Sequence, residues 1–502
     1  MCKPYRLTAI IISILKYCPA LITMLFFFDS FAQPYAGNSK ITYTSTLDSS
    51  IKEENLSLIN DSVPFVIGEI YITGNKKTKS YIIGRELSFK KGDTVNLPGL
   101  VKAFRKCHDN LINTLLFNDV VIYLKGFRGY IADVEIDVKE RWYIFPVPYF
   151  VPIDRNFAAW GERNYSFSRV NYGIKYTHFN FTGRNDNLMA WLITGYSQQV
   201  ELAYTNPYID KNLKHGFGFS AIYAAMKQLD AATINNEQYF VNSDTVSYSG
   251  KYLSKEFSFS LRYYYRPALK VRHFFRINYN NISIDSAVTV FNPYYFNNNK
   301  RSFSFPEFIY ALNYTDVDYV AYPLKGVMFE TGLLKRGINS NMNMTQFYFK
   351  STESWNIAWK TFFVTQNQAM VKLPLDQPFF NQQYLGYGDL YLRGLDRYVV
   401  DGVAGTMFRN SLLRELFNFR VPFLRSVPSH AFVPIRIYAC LFSDFGYVYN
   451  KNFTENSLVN RSLYTAGFGL DVVTFYDLVL RLDYSFNQLG QNGLFLHIRN
   501  DF

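Results

Sequence analysis

The stretch LVLRLDYSF, residues 478–486, decides the fold class. Successive strand residues point to opposite faces, so Leu478, Leu480, Leu482, Tyr484 and Phe486 share one side while Val479, Arg481, Asp483 and Ser485 share the other. A large apolar face backed by charges suits a wall with lipid on one side and a polar lumen on the other. IRIYACLFSDFG, residues 435–446, follows the same rule: Ile435, Ile437, Ala439 and Leu441 point outward, and Arg436, Tyr438, Cys440, Phe442 and Asp444 inward. Earlier in the chain, Val170, Tyr172, Ile174 and Tyr176 alternate with Asn171, Gly173 and Lys175.

Working outward, about 360 residues beyond Trp142 consist of short alternating runs separated by turns or polar loops; at about 22 residues per strand and connection they hold roughly 16 strands. The polar stretches 227–256 and 290–300 suit extracellular loops. The last run, GLFLHIRNDF, alternates through Leu494, Leu496 and Ile498 to Phe502, and a terminal aromatic on an amphipathic strand resembles the signal that marks outer-membrane barrels for insertion. Composition agrees. Tyr (41) and Phe (47) are abundant, Trp (5) is rare, and the 48% hydrophobic content is too low for a bundle of membrane helices. Barrels have this profile because only every second residue meets lipid and aromatic girdles sit at both interfaces.

Toward the N-terminus, residues 1–32 read as a secretory signal: Lys3 and Arg6, an apolar run from Leu7 to Phe28, then Ser30-Phe31-Ala32, with cleavage before Gln33. The formal charge of +12 then falls to +10, since Lys3, Arg6, Lys16 and Asp29 leave. That mild excess suits lipid headgroups or a lumen, and without a Lys/Arg stripe or recognition helix it does not indicate nucleic acid. Cys2 and Cys18 leave with the signal, so Cys107 and Cys440 form no disulfide framework. Residues 33–62 are polar and aperiodic, a flexible linker. Residues 63–141 read as a small α+β domain, β-α-α-β-β. Val66, Ile70 and Ile72 share a face of its first strand, Thr78 caps a helix running to Leu87, and a second helix aligns Leu100, Phe104, Cys107, Leu111 and Leu115. Two alternating strands close it: Val120, Ile122 and Leu124, then Ala132, Val134, Ile136 and Val138. Its exposed edges could pair with an extended peptide. Residues 142–502 are then the barrel.

No nucleophile elbow, phosphate-binding loop or His-Glu-x-x-His appears, and the six histidines are scattered, so no catalytic residue, metal or cofactor is expected. What stands out is a long insertion, YLGYGDLYLRGLDRYVVDG (384–402), between the runs TFFVTQNQAMVKL and MFRNSLLREL. Its Leu392-Arg393-Gly394-Leu395 resembles the Val-Arg-Gly-Phe/Tyr tip of the lumen loop in the BamA/TamA insertase superfamily, which includes the two-partner secretion transporters. Phe442-x-Asp444-x-Gly446 resembles that family's Phe-x-Asp-x-Gly strand, and AGFGLDV (466–472) and LRLDYSF resemble its later strands. Residues 65–141 resemble its periplasmic POTRA domain.

The resemblance implies a transmembrane antiparallel β-barrel in the bacterial outer membrane with one POTRA-like domain in the periplasm, working without enzymatic activity or cofactor. It implies that Arg393 folds into the lumen and pairs with Asp444. It also implies that the first and last strands, near Val170 to Phe181 and ending at Phe502, meet at a weak seam where a client strand adds. Leu395 replaces the family's aromatic. The family's Glu-x-Arg has only Glu415 as a counterpart, with Phe417 two residues on and Arg420 out of step. A single POTRA domain, with no patatin-like domain, points to a specialised insertion or translocation factor. Its implied partners are membrane lipids, client outer-membrane or secreted proteins, and periplasmic chaperones or accessory proteins. A passive pore or receptor on the same barrel is the second reading, and a surface adhesin the third.

Overall fold

Arg481 and Asp483 lie on the inner face of a sixteen-stranded antiparallel sheet that a four-stranded sheet precedes in sequence. This computed structural model describes residues 64–153, 164–244, 251–296, 300–339, 342–388, 390–422, 432–451, 456–474 and 476–499. The signal, the linker and Phe502 lie outside the described residues.

The first sheet belongs to a small domain of β1 (Phe65–Thr73), α1 (Ser80–Arg85), β2 (Thr94–Val95), α2 (Leu97–Ile112), β3 (Phe117–Arg128) and β4 (Ile131–Glu140), in sheet order β2-β1-β4-β3. β1 runs parallel to β4. The short β2 adds to the expected pattern. In β1 the register slips between Ile67 and Ile70, so the core face is Ile67, Ile70 and Ile72, and the bulge displaces Val66 from the expected set. Asn96 caps α2 by accepting a hydrogen bond from the Gly99 amide at 2.9 Å. α2 buries Leu100, Cys107 and Leu111. It stops before Leu115, which takes φ +61° in the turn that follows. Burial pushes the Cys107 thiol up, against the weaker pull of hydrogen bonds from Ser88, as befits a core residue.

The barrel sheet contains β5 (Ile144–Pro152), β6 (Val170–His178), β7 (Asn187–Gly195), β8 (Gln198–Asn206) and β9 (His215–Met226). A separate hairpin follows, β10 (Gln228–Ile234) and β11 (Glu237–Asn242). The sheet resumes with β12 (Ser254–Tyr265), β13 (Val271–Ile284), β14 (Ser302–Val317), β15 (Gly326–Asn339), β16 (Met342–Ala358), β17 (Thr361–Leu373) and β18 (Ala404–Pro422). It ends with β19 (Phe432–Tyr449), β20 (Ser462–Val473), β21 (Val479–Asn487) and β22 (Asn492–Arg499). Neighbours in sequence are neighbours in the sheet, and its terminal strands are β5 and β22. The first barrel strand is therefore β5, one strand earlier than the run at Val170 that the sequence suggests. Its three prolines break the strand-like composition but are tolerated at a sheet edge.

Alternation sets the two faces. On β12 and β13, Phe257, Phe259, Leu261, Tyr263, Phe275, Ile277 and Tyr279 are exposed on the outside. Inside, Ser258 donates to Asn280 at 2.8 Å and Asn278 donates to Glu307 at 2.9 Å. On β21, Asp483 and Ser485 are buried while Leu482 and Phe486 are exposed.

The loops expected at 227–256 and 290–300 are folded among their described residues. Asn235 and Asn236, with φ +53° and +66°, make the two-residue turn of the β10–β11 hairpin. α3 (Ser286–Phe291) packs Val288 beside Ala231, Leu253, Phe296 and Phe379. Polar composition hides this cap because its apolar residues come from many separate segments.

The small domain seats on the opposite, shorter turns. The Glu86 carboxylate receives the Arg266 guanidinium on both oxygens, at 2.5 and 2.8 Å, with both residues buried. Arg141 reaches Asp477, Asn113 donates to the Val317 carbonyl at 2.9 Å, and the Lys79 amide donates to the Gly183 carbonyl at 2.9 Å. Thr78 does not cap α1: its hydroxyl accepts from Asn180 at 2.9 Å and meets the Tyr143 hydroxyl at 3.2 Å, so it belongs to this junction.

Candidate functional site

Between β17 and β18 the chain leaves the wall, forms α4 (Phe379–Gln382), and turns back into the lumen. Lys372, at the end of β17, holds the loop's root: its buried ammonium donates to the carbonyls of Asn381 at 2.7 Å and Gln383 at 2.8 Å. An isolated bridge between Leu385 and Val400 draws the two arms together.

The tip is a tight turn. The Leu395 amide donates to the Leu392 carbonyl at 2.9 Å, and Gly394 takes φ +88°, the conformation that the third position of a type II turn requires. Glycine is needed there a second time, since a Cβ would lie 2.8 Å from the Ser485 Cβ on β21.

Arg393, presented by that turn, is fastened on every side. Its Nε donates to Asp444 Oδ2 at 2.9 Å and its Nη2 to Oδ1, while its backbone amide donates to Oδ2 at 3.0 Å. Nη1 donates to the Ser411 hydroxyl at 2.9 Å and Nη2 to the Asn410 carbonyl at 3.1 Å, both on β18. The guanidinium carbon lies 4.0 Å from the centre of the Phe442 ring, a cation–π contact. Arg393 and Asp444 are buried. Such a forked, charge-assisted pair is stronger here than in water.

The three motif residues of β19 thus serve the loop in three ways. Phe442 supplies a ring, Asp444 a carboxylate, and Gly446 an absence, because a Cβ there would stand 3.0 Å from a Leu392 methyl. Leu392 and Leu395 are buried in a cluster with Tyr384, Leu385, Val400, Met407 and Val448, so Leu395 packs where the family has an aromatic. Glu415 is not brought to the pair. It sits four residues beyond Ser411 on β18 and meets Lys360 of the β16–β17 turn at 2.9 Å.

Several contributors escape sequence reasoning. Asn487 donates to the Gly394 carbonyl at 2.8 Å, His497 of β22 meets Asp396 at 3.2 Å, and Arg409 lies 4.6 Å over the Tyr391 ring. Only the inward parity of Lys372 and Arg409 on the strands flanking the insertion could have signalled them.

Residues 180–489 match the Omp85 superfamily domain, and residues 65–141 match POTRA, the surface antigen variable number repeat. The chain belongs to the Omp85 superfamily. Omp85 barrels reside in the outer membrane with their POTRA domains in the periplasm, and the family serves insertion and translocation at that membrane without enzymatic chemistry. Among solved structures, CdiB from Escherichia coli is 13% identical, with 86% of this chain and 75% of that chain covered at a TM-score of 0.50. BamA from Haemophilus ducreyi lacking POTRA domains 1–3 is 16% identical, with 87% and 84% covered and a TM-score of 0.48. No curated protein sequence matches this one.

Proposed function

We propose that this Omp85 protein is an outer-membrane assembly or translocation factor, with one POTRA domain among its described residues, whose lumen loop fixes the barrel for handling client chains. The observation that carries the reading is the Arg393 turn, locked by Asp444, Ser411, Asn410 and Phe442 to β18 and β19 and lying against β21. Such a loop occupies the lumen and ties its tip to the strands that lead to the sheet's last edge. Client strands would add at the seam between β5 and β22, where backbone groups left unpaired in hydrocarbon are costly and a template lowers that cost. The exposed outer edges of the POTRA sheet would take periplasmic partners in the same way, and the aromatic outer face would meet membrane lipids.

Planar-bilayer recording of the purified protein separates this from a passive pore. A handling factor with a plugged lumen gives a small, fluctuating conductance that rises when Arg393→Ala frees the tip. A steady, solute-selective conductance that Arg393→Ala leaves unchanged contradicts the proposal.

A further inference from the structure

We propose that the periplasmic rim of strands β6 to β14 binds an anionic glycerophospholipid of the inner leaflet, whose phosphate is received by outward imidazoles and by a collar of basic side chains that the POTRA domain completes. This goes beyond client handling and stands on the outer-membrane placement of the barrel alone.

His215 opens β9, Tyr265 closes β12 and His273 stands third in β13, all beside the short turns on which the small domain sits. They share the outward parity of the exposed Phe217, Tyr263 and Phe275. Their rings form a ladder across the strands: His215 lies 5.2 Å from Tyr265, and Tyr265 lies 5.7 Å from His273. Each imidazole is also fixed through one nitrogen. His215 Nδ1 meets the Tyr263 hydroxyl at 2.7 Å, and His273 Nδ1 meets the Tyr310 hydroxyl at 3.0 Å. With the tyrosines donating, each Nε2 carries the ring hydrogen. Neither Nε2 has a partner among the described residues. Aromatic rings are ordinary at this depth, but a donor in an apolar belt is costly unless a headgroup oxygen accepts from it.

The collar lies against the same rim. His178, at the end of β6, has the outward parity of Tyr172 and Ile174 and stands edge-on to Phe181 at 5.0 Å. Lys77 Nζ meets His178 Nε2 at 2.8 Å, which brings the β1–α1 turn over the outer rim of the wall. At the other end of α1, Arg85 Nε donates to the Leu213 carbonyl at 2.7 Å, so the helix spans the β6–β7 and β8–β9 turns. Lys76 and Lys79 before α1, Arg184 in the first turn, and Lys211 and Lys214 in the second are exposed.

The nearby carboxylates are already engaged. Asp186 accepts from the Thr182 amide at 2.8 Å and the Tyr204 hydroxyl at 2.9 Å, and Asp210 accepts from the amides of Asn212, Lys214 and His215 at 3.0, 2.9 and 2.8 Å. The exposed cations of the collar meet no carboxylate among the described residues, so this rim carries a net positive charge above an apolar wall. An anionic phospholipid answers both halves, with its phosphate on the cations and imidazoles and its chains along the outward aromatic face. A zwitterionic lipid offers the phosphate but cancels it with its own ammonium. The POTRA side faces the periplasm, which places the bound lipid in the inner leaflet.

The test uses the full-length protein in micelles holding phosphatidylglycerol and phosphatidylcholine in equal amounts, with retained lipids counted by native mass spectrometry. The parent is expected to keep roughly tenfold more phosphatidylglycerol than phosphatidylcholine. Lys211→Gln with Lys214→Gln, confined to one exposed turn, should lower that ratio severalfold, and adding Lys76→Gln, Lys79→Gln and Arg184→Gln should bring it to about one. His215→Phe with His273→Phe keeps the ring ladder, removes both Nε2 donors and should also lower the ratio. Heat-dependent migration on an unheated gel shows that each variant is a folded barrel. No preference for phosphatidylglycerol in the parent, or a preference that either the basic or the histidine changes leave intact in a folded barrel, overturns the proposal.

Discussion

Arg393 is the residue on which the lumen loop depends, and its environment says what its loss would do. Arg393→Ala leaves the buried Asp444 carboxylate without its cation, a change that costs about 3–5 kcal/mol when one member of a buried pair is removed. Arg393→Lys is not expected to rescue it, because an ammonium cannot reach both Asp444 oxygens, Ser411 and the Asn410 carbonyl at once. Arg393→Ala with Asp444→Ala should cost less than the two single changes added together, because no charge is then stranded. The temperature at which the folded barrel converts to the slow-migrating form on an unheated gel measures all of these. Strict additivity would mean that the pair is not coupled. Arg393 and Asp444 were nameable from sequence only through the resemblance of their motifs. Ser411, Lys372 and Asn487 were not, because a polar residue facing a lumen carries no mark until the loop's path is known.

At the scale of the element, the POTRA domain was legible where periodicity is regular. α2 shows its apolar stripe, and β3 and β4 alternate in plain view. The bulge in β1 and the role of Thr78 were not legible: the first depends on cross-strand register, and the second on a residue about 100 positions away. The same limit hid the docking of this domain, which rests on Glu86 with Arg266, two charges that sequence treats as ordinary surface residues. Arg266→Ala should expose that dependence by leaving Glu86 buried and unpaired. The expected outcome in hydrogen exchange is faster exchange across α1 (Ser80–Arg85), with β13 and β14 unchanged. Uniform exchange in variant and parent would show that the junction rests on its other contacts.

Taken whole, the molecule was foretold by alternation. Period two with charges on one face gave the barrel and its approximate strand number, and the described residues form sixteen strands in one sheet. The first strand was missed because IFPVPYFVP violates the alternation rule, and the same prolines make β5 an unusual edge. The capping hairpin escapes alternation because apolar residues dispersed over many segments leave no local periodicity. The central claim is that this barrel handles other outer-membrane or secreted proteins. Its most direct test is to deplete the protein in its native cell, re-express either the parent or Arg393→Ala, and quantify the outer-membrane proteome. A subset of barrel or surface proteins should fall on depletion, return with the parent chain, and stay low with Arg393→Ala at equal barrel abundance. An outer-membrane proteome unchanged by depletion would contradict the account.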